Sequence, residues 1–157
     1  WDSVRHDAFT AQMALIHLEQ YRPRLLYIAL DETDDWGHEG RYDRVLRSLQ
    51  SYDRLLRDLW NTLQSLETHR DRTTLLVTTD HGRGYGEGDW TDHGAEVRGA
   101  EETWMIAIGP RTPDRGELRS HPPVHLADIA ATLLELLGLD PQEFNPEAGP
   151  PIESVLK

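Results

Sequence analysis

The chain has 157 residues, a formal net charge of −12 and no cysteine, a composition typical of a soluble globular protein of one domain or part of one. The lack of cysteine excludes disulfides, thiolate metal ligands and a cysteine nucleophile, and no apolar run is long enough to span a bilayer. The acidic excess argues against a nucleic-acid backbone as partner, but it leaves open a small anionic substrate, the oligomeric state and the compartment, bacterial cytoplasm or periplasm.

The first two predicted elements are a helix over residues 5–21 and a strand over residues 24–30. Pro23 ends the helix, because the residue before a proline is pushed out of helical space. The run RLLYIAL is short and continuously apolar, which is typical of a strand buried on both faces. One face of the helix carries the side chains that we expect to be buried: Phe9, Met13, Ile16 and His17.

A long amphipathic helix over residues 42–66 separates this strand from a second one over residues 73–79, because apolar residues recur along it at steps of three and four. The order strand, helix, strand predicts two adjacent parallel strands joined by a right-handed crossover. The fold class is therefore α/β, with a sheet rich in parallel strands and flanking helices. Polar residues after the two strands would meet at one edge of that sheet.

The rest of the chain alternates loops with two further elements. A long glycine-rich loop over residues 82–101 is of the kind that tends to be functional. It leads to a third strand over residues 103–108, and a helix over residues 126–137 follows, with Gly138 as its C-cap. The tail after Asp140 is predicted as loop, with a last turn near its end.

The pair Asp80-His81 directly follows the second predicted strand and is the strongest chemical signal in the chain. Asp and His without Cys form a ligand set that suits zinc, manganese or iron. The alternative is a helix N-cap beside a surface histidine, but the glycines at 82 and 84 argue against a helix start. We therefore expect Asp80 and His81 to be metal ligands.

Two further segments offer donors. In the acidic loop over residues 31–40, Asp34 and His38 lie four residues apart, and Gly37 permits a turn that folds His38 back toward Asp34. A solvated acidic loop or a calcium loop are the alternatives, although the EF-hand pattern is missing. His93, which follows the glycines of the loop over residues 82–101, would supply a third donor to the metal ion through a ring nitrogen, or it would simply be exposed.

Four weaker candidates surround these ligands. Arg83 would clamp a phosphate oxygen of the substrate, or it is merely solvated. Three carboxylates would hold a ligand imidazole in place, or they are only exposed: Asp31, Asp35 and Asp92.

Taken together, these motifs resemble the alkaline phosphatase superfamily. The spacing D-x-x-G-H at residues 34–38 is similar to the metal loop of cofactor-independent phosphoglycerate mutases and of nucleotide pyrophosphatase/phosphodiesterases. The run at residues 78–82 and the later His93-Gly94 resemble the second metal motif and closing histidine, with a comparable layout in phosphopentomutase. Residues 128–138 are similar to a helix near the C-terminus of sulfatases and phosphodiesterases.

The resemblance implies two divalent metal ions, zinc as the first expectation and manganese as the second. Asp34, His38 and His93 would hold one ion, and Asp80 with His81 the other. Such a pair would stabilise the attacking and leaving oxygens of an in-line displacement on a small phosphorylated, or sulfated, substrate.

The superfamily's Ser or Thr nucleophile and one further metal-binding Asp are expected upstream, since Ser3 and Thr10 have no adjoining strand or Asp. The chain, which begins at Trp1, is therefore expected to be the C-terminal portion of a larger α/β domain. The predicted function is the metal-binding portion of a two-metal phosphoesterase acting on a phosphomonoester or phosphodiester. A sulfatase or phosphomutase of the same superfamily and a non-catalytic truncated domain are the alternatives.

Overall fold

A computed structural model describes residues 5–156, so Trp1 and Ser3 lie outside the described part of the chain. The chain is a helix-rich α/β protein. Its elements, in order, are α1 (Asp7–Tyr21), α2 (Glu32–His38), α3 (Tyr42–Ser65), β1 (Leu75–Thr78), a 3₁₀ turn (Asp89–Thr91), β2 (Met105–Ile108), α4 (Asp128–Leu137) and α5 (Pro141–Phe144). Across residues 5–156, every helix is too short or too polar to cross a membrane.

The chain divides into two compact units. The described part of the first unit comprises residues 5–70 and 81–104, and that of the second comprises residues 71–80 and 105–156. The first unit therefore contains α1, α2, α3 and the glycine-rich loop, while the second contains both strands and the two C-terminal helices. That residues 1–157 form a single or partial domain stays a prediction.

The core of the first unit forms between α1 and α3. Leu18 of α1 packs with three leucines of α3, which are buried because they recur every four residues along one face: Leu55, Leu59 and Leu63. Leu26, Ile28 and Leu30 cover this cluster from the segment that follows α1. The predicted long helix is thus confirmed, with its apolar stripe buried over its second half.

The predicted buried face of α1 is wrong. Phe9 and Met13 are 65% and 61% exposed, whereas Ala14 and Leu18 are buried. Apolar side chains occur on every side of this helix, so their spacing does not single out one face. Packing against α3 selects the face with Ala14 and Leu18.

The predicted strand over residues 24–30 is not formed: residue 24 lies in a bend, and residues 25–30 pair with no strand within residues 5–156. Its side chains alternate: Leu26 and Ile28 contact the core cluster, while Tyr27 is 85% exposed. A continuous apolar run does not distinguish a strand buried on two faces from an unpaired segment that covers a core with every second side chain.

The sheet of the second unit is antiparallel. β1 pairs with β2 in the register Leu75↔Ile108 to Thr78↔Met105, and these two strands are the whole of the sheet within residues 5–156. The prediction of a parallel-rich sheet is therefore not confirmed. Parallel neighbours need a crossover, usually a helix, whereas the chain between β1 and β2 contains only a 3₁₀ turn.

Local sequence explains where α4 ends and where α5, the last helix of the second unit, begins. α4 ends at Gly138, whose φ of 73° is the left-handed conformation that glycine adopts without strain, as predicted. α5 was not predicted, yet Asp140 accepts a hydrogen bond from the backbone N–H of Gln142 and Pro141 fixes the first turn. The predicted final turn is present over residues 153–155.

Candidate metal centre

Asp34 and His38 lie on α2 rather than in a loop. Helical spacing puts residues four apart on the same face, and His38 Nε2 lies 3.3 Å from Asp34 Oδ2. The two side chains therefore converge as expected, but for a different reason than a turn at Gly37. Gly37 is a buried position inside the helix.

The glycine-rich loop folds back on itself and brings His93 beside His81. The backbone N–H of Gly84 donates to the carbonyl oxygen of Asp92 over 3.4 Å, which closes the excursion between the two histidines. The imidazole rings of His81 and His93 stack with their centroids 3.7 Å apart. The return of His93 to the site, expected from its position after the glycines, is thus part of the structure.

Three imidazoles point their Nε2 atoms at one carboxylate. The Nε2 atoms of His81 and His93 lie 3.5 Å and 3.4 Å from Asp34 Oδ1. His38 Nε2 lies 2.9 Å from His93 Nε2. The side chains of all four residues are 28–44% exposed, so the cluster is reachable from solvent.

A neighbouring carbonyl oxygen sets the tautomer of His81. Its Nδ1 lies 2.9 Å from the carbonyl oxygen of Gly82, and a carbonyl oxygen can only accept a hydrogen bond. Nδ1 therefore carries the proton in the neutral ring, and Nε2 presents its lone pair toward Asp34. This is the arrangement that metal-ligating histidines adopt.

The donor set fits a divalent ion. Zinc bonds of about 2.1 Å in a tetrahedron place neighbouring donor atoms about 3.4 Å apart. The distances of 3.5 and 3.4 Å from Asp34 Oδ1 to the Nε2 atoms of His81 and His93 match that separation, and His38 Nε2 lies 3.3 Å from the other carboxylate oxygen, Oδ2. One carboxylate oxygen of Asp34 and one nitrogen each of His81 and His93 lie within 4.8 Å of one another.

Arg83 is engaged within the cluster. Its guanidinium donates to the Asp34 carboxylate and, over 2.8 Å, to the Asp34 carbonyl oxygen. A second nitrogen donates to the carbonyl oxygen of Trp90 over 3.4 Å. These bonds fix the Arg83 side chain beside the Asp34 carboxylate. The role of Arg83 as a phosphate clamp stays a prediction, and a phosphate oxygen would compete with Asp34 for the guanidinium.

Gly37 makes room for this guanidinium. A Cβ atom on Gly37 would lie 2.5 Å from Arg83 Cζ. We expect Gly37→Ala to displace the guanidinium from Asp34 and to lower the free energy of unfolding by about 1 kcal/mol. Losing a hydrogen bond to a charged group costs about 1.5–3 kcal/mol, and alanine in place of glycine within a helix offsets about 1 kcal/mol of that cost. Urea unfolding would measure the loss. Because alanine favours a helix more than glycine does, an unchanged stability in Gly37→Ala alone would not decide the question. Unchanged stability in both single variants, Gly37→Ala and Arg83→Gln, would contradict this interpretation.

The remaining predicted residues are placed differently. Asp80 is exposed and belongs to the second unit, so the cluster that the first unit forms by itself does not include it. Asp92 Oδ1 accepts a hydrogen bond from the backbone N–H of His93 over 2.8 Å and so supports its loop. Burial, with repulsion from Asp31 and Asp34, raises the pKa of the Asp35 carboxyl above its ordinary value.

An open cleft adjoins the cluster. It has a volume of about 590 Å³ and is lined by His81 and His93 together with Val97, Arg98 and Glu101. The donor cluster therefore borders a space large enough for a small molecule.

The residues that hold α2 in place are not predicted from the sequence. Asp7, at the start of α1, is 5% exposed and accepts hydrogen bonds from the backbone N–H groups of Asp31 and Glu32. The hydroxyl of Tyr52 on α3 also donates to Asp7. The only sequence signal was an acidic residue at a helix start, which is ordinary.

The Tyr52–Asp7 contact predicts how stability depends on pH. Burial, followed by the hydrogen bond to Asp7 and the charge of Asp7, raises the pKa of the Tyr52 hydroxyl well above its ordinary value of 10.0. The folded state therefore retains the proton longer than the unfolded state, so the stability from this group is complete below pH 10 and is lost as the pH rises further. We expect urea midpoints to fall less steeply above pH ~10 in Tyr52→Phe than in the unsubstituted chain. Parallel slopes would contradict this.

Comparison with known families agrees with the chemistry of the cluster. The profile of the Metalloenzyme superfamily matches residues 6–141, most of the chain. The chain belongs to this superfamily. The predicted resemblance to alkaline phosphatase-like enzymes is thereby confirmed. The matched part of this chain includes all four residues of the cluster: Asp34, His38, His81 and His93.

Curated relatives are cofactor-independent phosphoglycerate mutases by name. The chain is 28% identical over 123 residues to the 2,3-bisphosphoglycerate-independent phosphoglycerate mutase of Gracilaria tenuistipitata var. liui, covering 78% of this chain and 23% of that protein. It is 27% identical over 140 residues to the enzyme of Acaryochloris marina, covering 87% and 25%. The chain thus spans about a quarter of the length of these relatives. No solved structure matches significantly.

Proposed function

We propose that the chain carries the metal-binding part of a phosphoryl-transfer enzyme. The observation that supports this proposal is the convergence of three histidine Nε2 atoms on the carboxylate of Asp34. Imidazole and carboxylate donors suit zinc or manganese, and superfamily membership implies that a divalent metal is used.

Asp34, His38, His81 and His93 would hold a divalent ion. One carboxylate and neutral imidazoles leave that ion with a net positive charge, which suits an anionic phosphate in the adjoining cleft. When bound, the ion would stabilise negative charge on the oxygens of the transferring phosphoryl group. The superfamily resemblance implies Asp80 and His81 at a second ion, but we assign His81 to the ion at Asp34 because its Nε2 faces that carboxylate. By the same resemblance, the Ser or Thr nucleophile would come from outside this chain.

The acceptor of the phosphoryl group separates two candidate reactions. In hydrolysis, the group passes from the nucleophile to water, whereas in a phosphomutase it returns to another hydroxyl of the substrate. The names of the curated relatives favour the phosphomutase, with a phosphorylated small hydroxy acid as substrate class. The motifs alone favour neither reaction.

The proposed function predicts that a phosphate ester binds next to a metal held by this chain. The chain would be loaded with Mn²⁺, and the ³¹P resonances of inorganic phosphate and 3-phosphoglycerate would be recorded. We expect broadening of both resonances, because a paramagnetic ion relaxes nuclei only at short range. The broadening should disappear in His81→Ala and persist in His17→Ala, a matched control whose exposed ring packs on Tyr21. Equal broadening in both variants would contradict the proposal.

If the protein sample is catalytically active, the same ³¹P spectra distinguish the two reactions by their products. A phosphomutase converts 3-phosphoglycerate into 2-phosphoglycerate, whereas a phosphatase releases inorganic phosphate. Sulfate provides the further comparison: a sulfatase would bind sulfate in preference to phosphate, and sulfate would then suppress the broadening at equal concentration.

A further inference from the structure

We propose that Asp7 is a positioning residue for the metal centre, acting through α2. The proposal rests on the proposed function, because it concerns the geometry of the same donors. Asp7 lies 27 residues before Asp34 in sequence and is not itself in the donor cluster. Its carboxylate nevertheless determines where the helix that carries Asp34 and His38 begins.

The carboxylate of Asp7 binds the N-terminus of α2. Its Oδ1 accepts from the backbone N–H of Asp31 over 3.0 Å, and its Oδ2 accepts from that of Glu32 over 2.9 Å. The first N–H groups of a helix have no partner within the helix, and the N-cap residue Asp31 makes no side-chain cap bond. Asp7 supplies the missing acceptor from a different helix, with a negative charge at the positive end of the helix dipole.

The contact is reciprocal and extends to α3. Glu32 Oε1 accepts from the backbone N–H of Asp7 over 3.2 Å, and Glu32 Oε2 accepts from Ser48 Oγ over 3.2 Å. The Tyr52 hydroxyl donates to Asp7. A buried carboxylate is costly unless its acceptors are used, and here backbone and side-chain donors use both oxygens. Helices α1, α2 and α3 are thereby linked at the first turn of α2.

This connection matters for metal binding because α2 is short. A helix of seven residues is not stable by propensity, so tertiary contacts must fix its position. Asp34 lies two residues after Glu32, within the same first turn. If the first turn shifts, the separations of 3.4–3.5 Å between Asp34 and the histidines of the loop are lost.

A purely structural role would lower stability without changing the metal centre selectively. Asp128 provides a matched control, since it is also buried, at 8% exposed, and accepts a backbone N–H, that of His125, over 2.9 Å. It belongs to the second unit and contributes nothing to the donor cluster. Comparing Asp7→Ala with Asp128→Ala therefore separates positioning from general destabilisation.

Two measurements on the full chain test the proposal. In a Co²⁺ titration followed by visible absorption, we expect Asp7→Ala to weaken binding about 10- to 100-fold, the range for groups that orient metal ligands, with a smaller loss in Asp7→Asn. Asp128→Ala should keep the affinity of the unsubstituted chain. In metal-free protein, hydrogen exchange at the Asp35 and Glu39 amides, which donate to Asp31 and Asp35, should accelerate in the Asp7 variants alone.

Unchanged Co²⁺ affinity in both Asp7 variants would overturn the proposal, as would equal losses in Asp7→Ala and Asp128→Ala. If Asp7→Ala does not fold, Asp7→Asn decides the question by the same comparison. In the background of His38→Ala, the effect of Asp7→Asn should shrink, because one of the two donors on α2 is already gone. Failure of the unsubstituted chain to bind Co²⁺ contradicts the proposed function instead, and the proposed role of Asp7 falls with it.

Discussion

Replacing Asp34 by alanine should weaken Zn²⁺ binding by more than about 100-fold, beyond the range for groups that only orient ligands. The carboxylate of Asp34 lies within 3.5 Å of the Nε2 atoms of His38, His81 and His93, so its loss removes both a donor and a negative charge from the site. Isothermal titration calorimetry in competition with a chelator would measure the dissociation constant.

Two further variants make this result interpretable. Asp53→Ala removes an exposed carboxylate that pairs with Arg57 on α3, over 2.8 Å, and should leave Zn²⁺ affinity unchanged. Asp34→Asn keeps the volume of the side chain and an acceptor for Arg83 but removes the charge. It should bind Zn²⁺ as weakly as Asp34→Ala. Retention of the original affinity in both Asp34 variants would show that the ion is held elsewhere.

Replacing Leu59 by alanine should lower the free energy of unfolding by about 2–5 kcal/mol, the range for truncating a buried leucine. Leu59 is 4% exposed and lies in the core cluster between α1 and α3. The loss combines the apolar surface returned to water on unfolding with the cavity left in the folded state. Urea unfolding followed by helical circular dichroism would measure it.

Leu49 on the same helix is the matched control, because it is 46% exposed. Leu49→Ala should change stability by less than about 0.5 kcal/mol, as surface substitutions usually do. Equal losses in the two variants would mean that α3 does not bury the face described. A loss of Zn²⁺ affinity in Leu59→Ala that persists well below its unfolding midpoint would indicate that the core also sets the geometry of the centre.

Sequence periodicity predicts the helices in which the apolar residues lie on one face. The long helix α3 and the helix α4 have one apolar face and a clear end, and both are present near the expected bounds. The strand predicted over residues 24–30 and the predicted buried face of α1 are wrong because apolar residues occur on every side of both segments. Which of those side chains are buried depends on the partner surface, and a local pattern does not contain it.

For the candidate site, residue type and spacing nominated the donors, whereas the geometry came from elsewhere. Asp34, His38, His81 and His93 converge through the short helix α2 and the returning loop, not through the edge of a parallel sheet. The ion pair of Arg83 with Asp34 spans 49 residues and leaves no local signature. The same holds for Asp7, whose partners are backbone groups of a distant helix start.

The most direct test of the central claim is X-ray absorption at the zinc edge of the Zn²⁺-loaded chain. If Asp34 and the histidines form one centre, the spectrum should show only nitrogen and oxygen neighbours at about 2.0–2.1 Å, with the outer-shell scattering of two or three imidazoles. His93→Ala should reduce the imidazole count by one. A spectrum of hydrated zinc without imidazole scattering would contradict the assignment of this cluster as the metal centre.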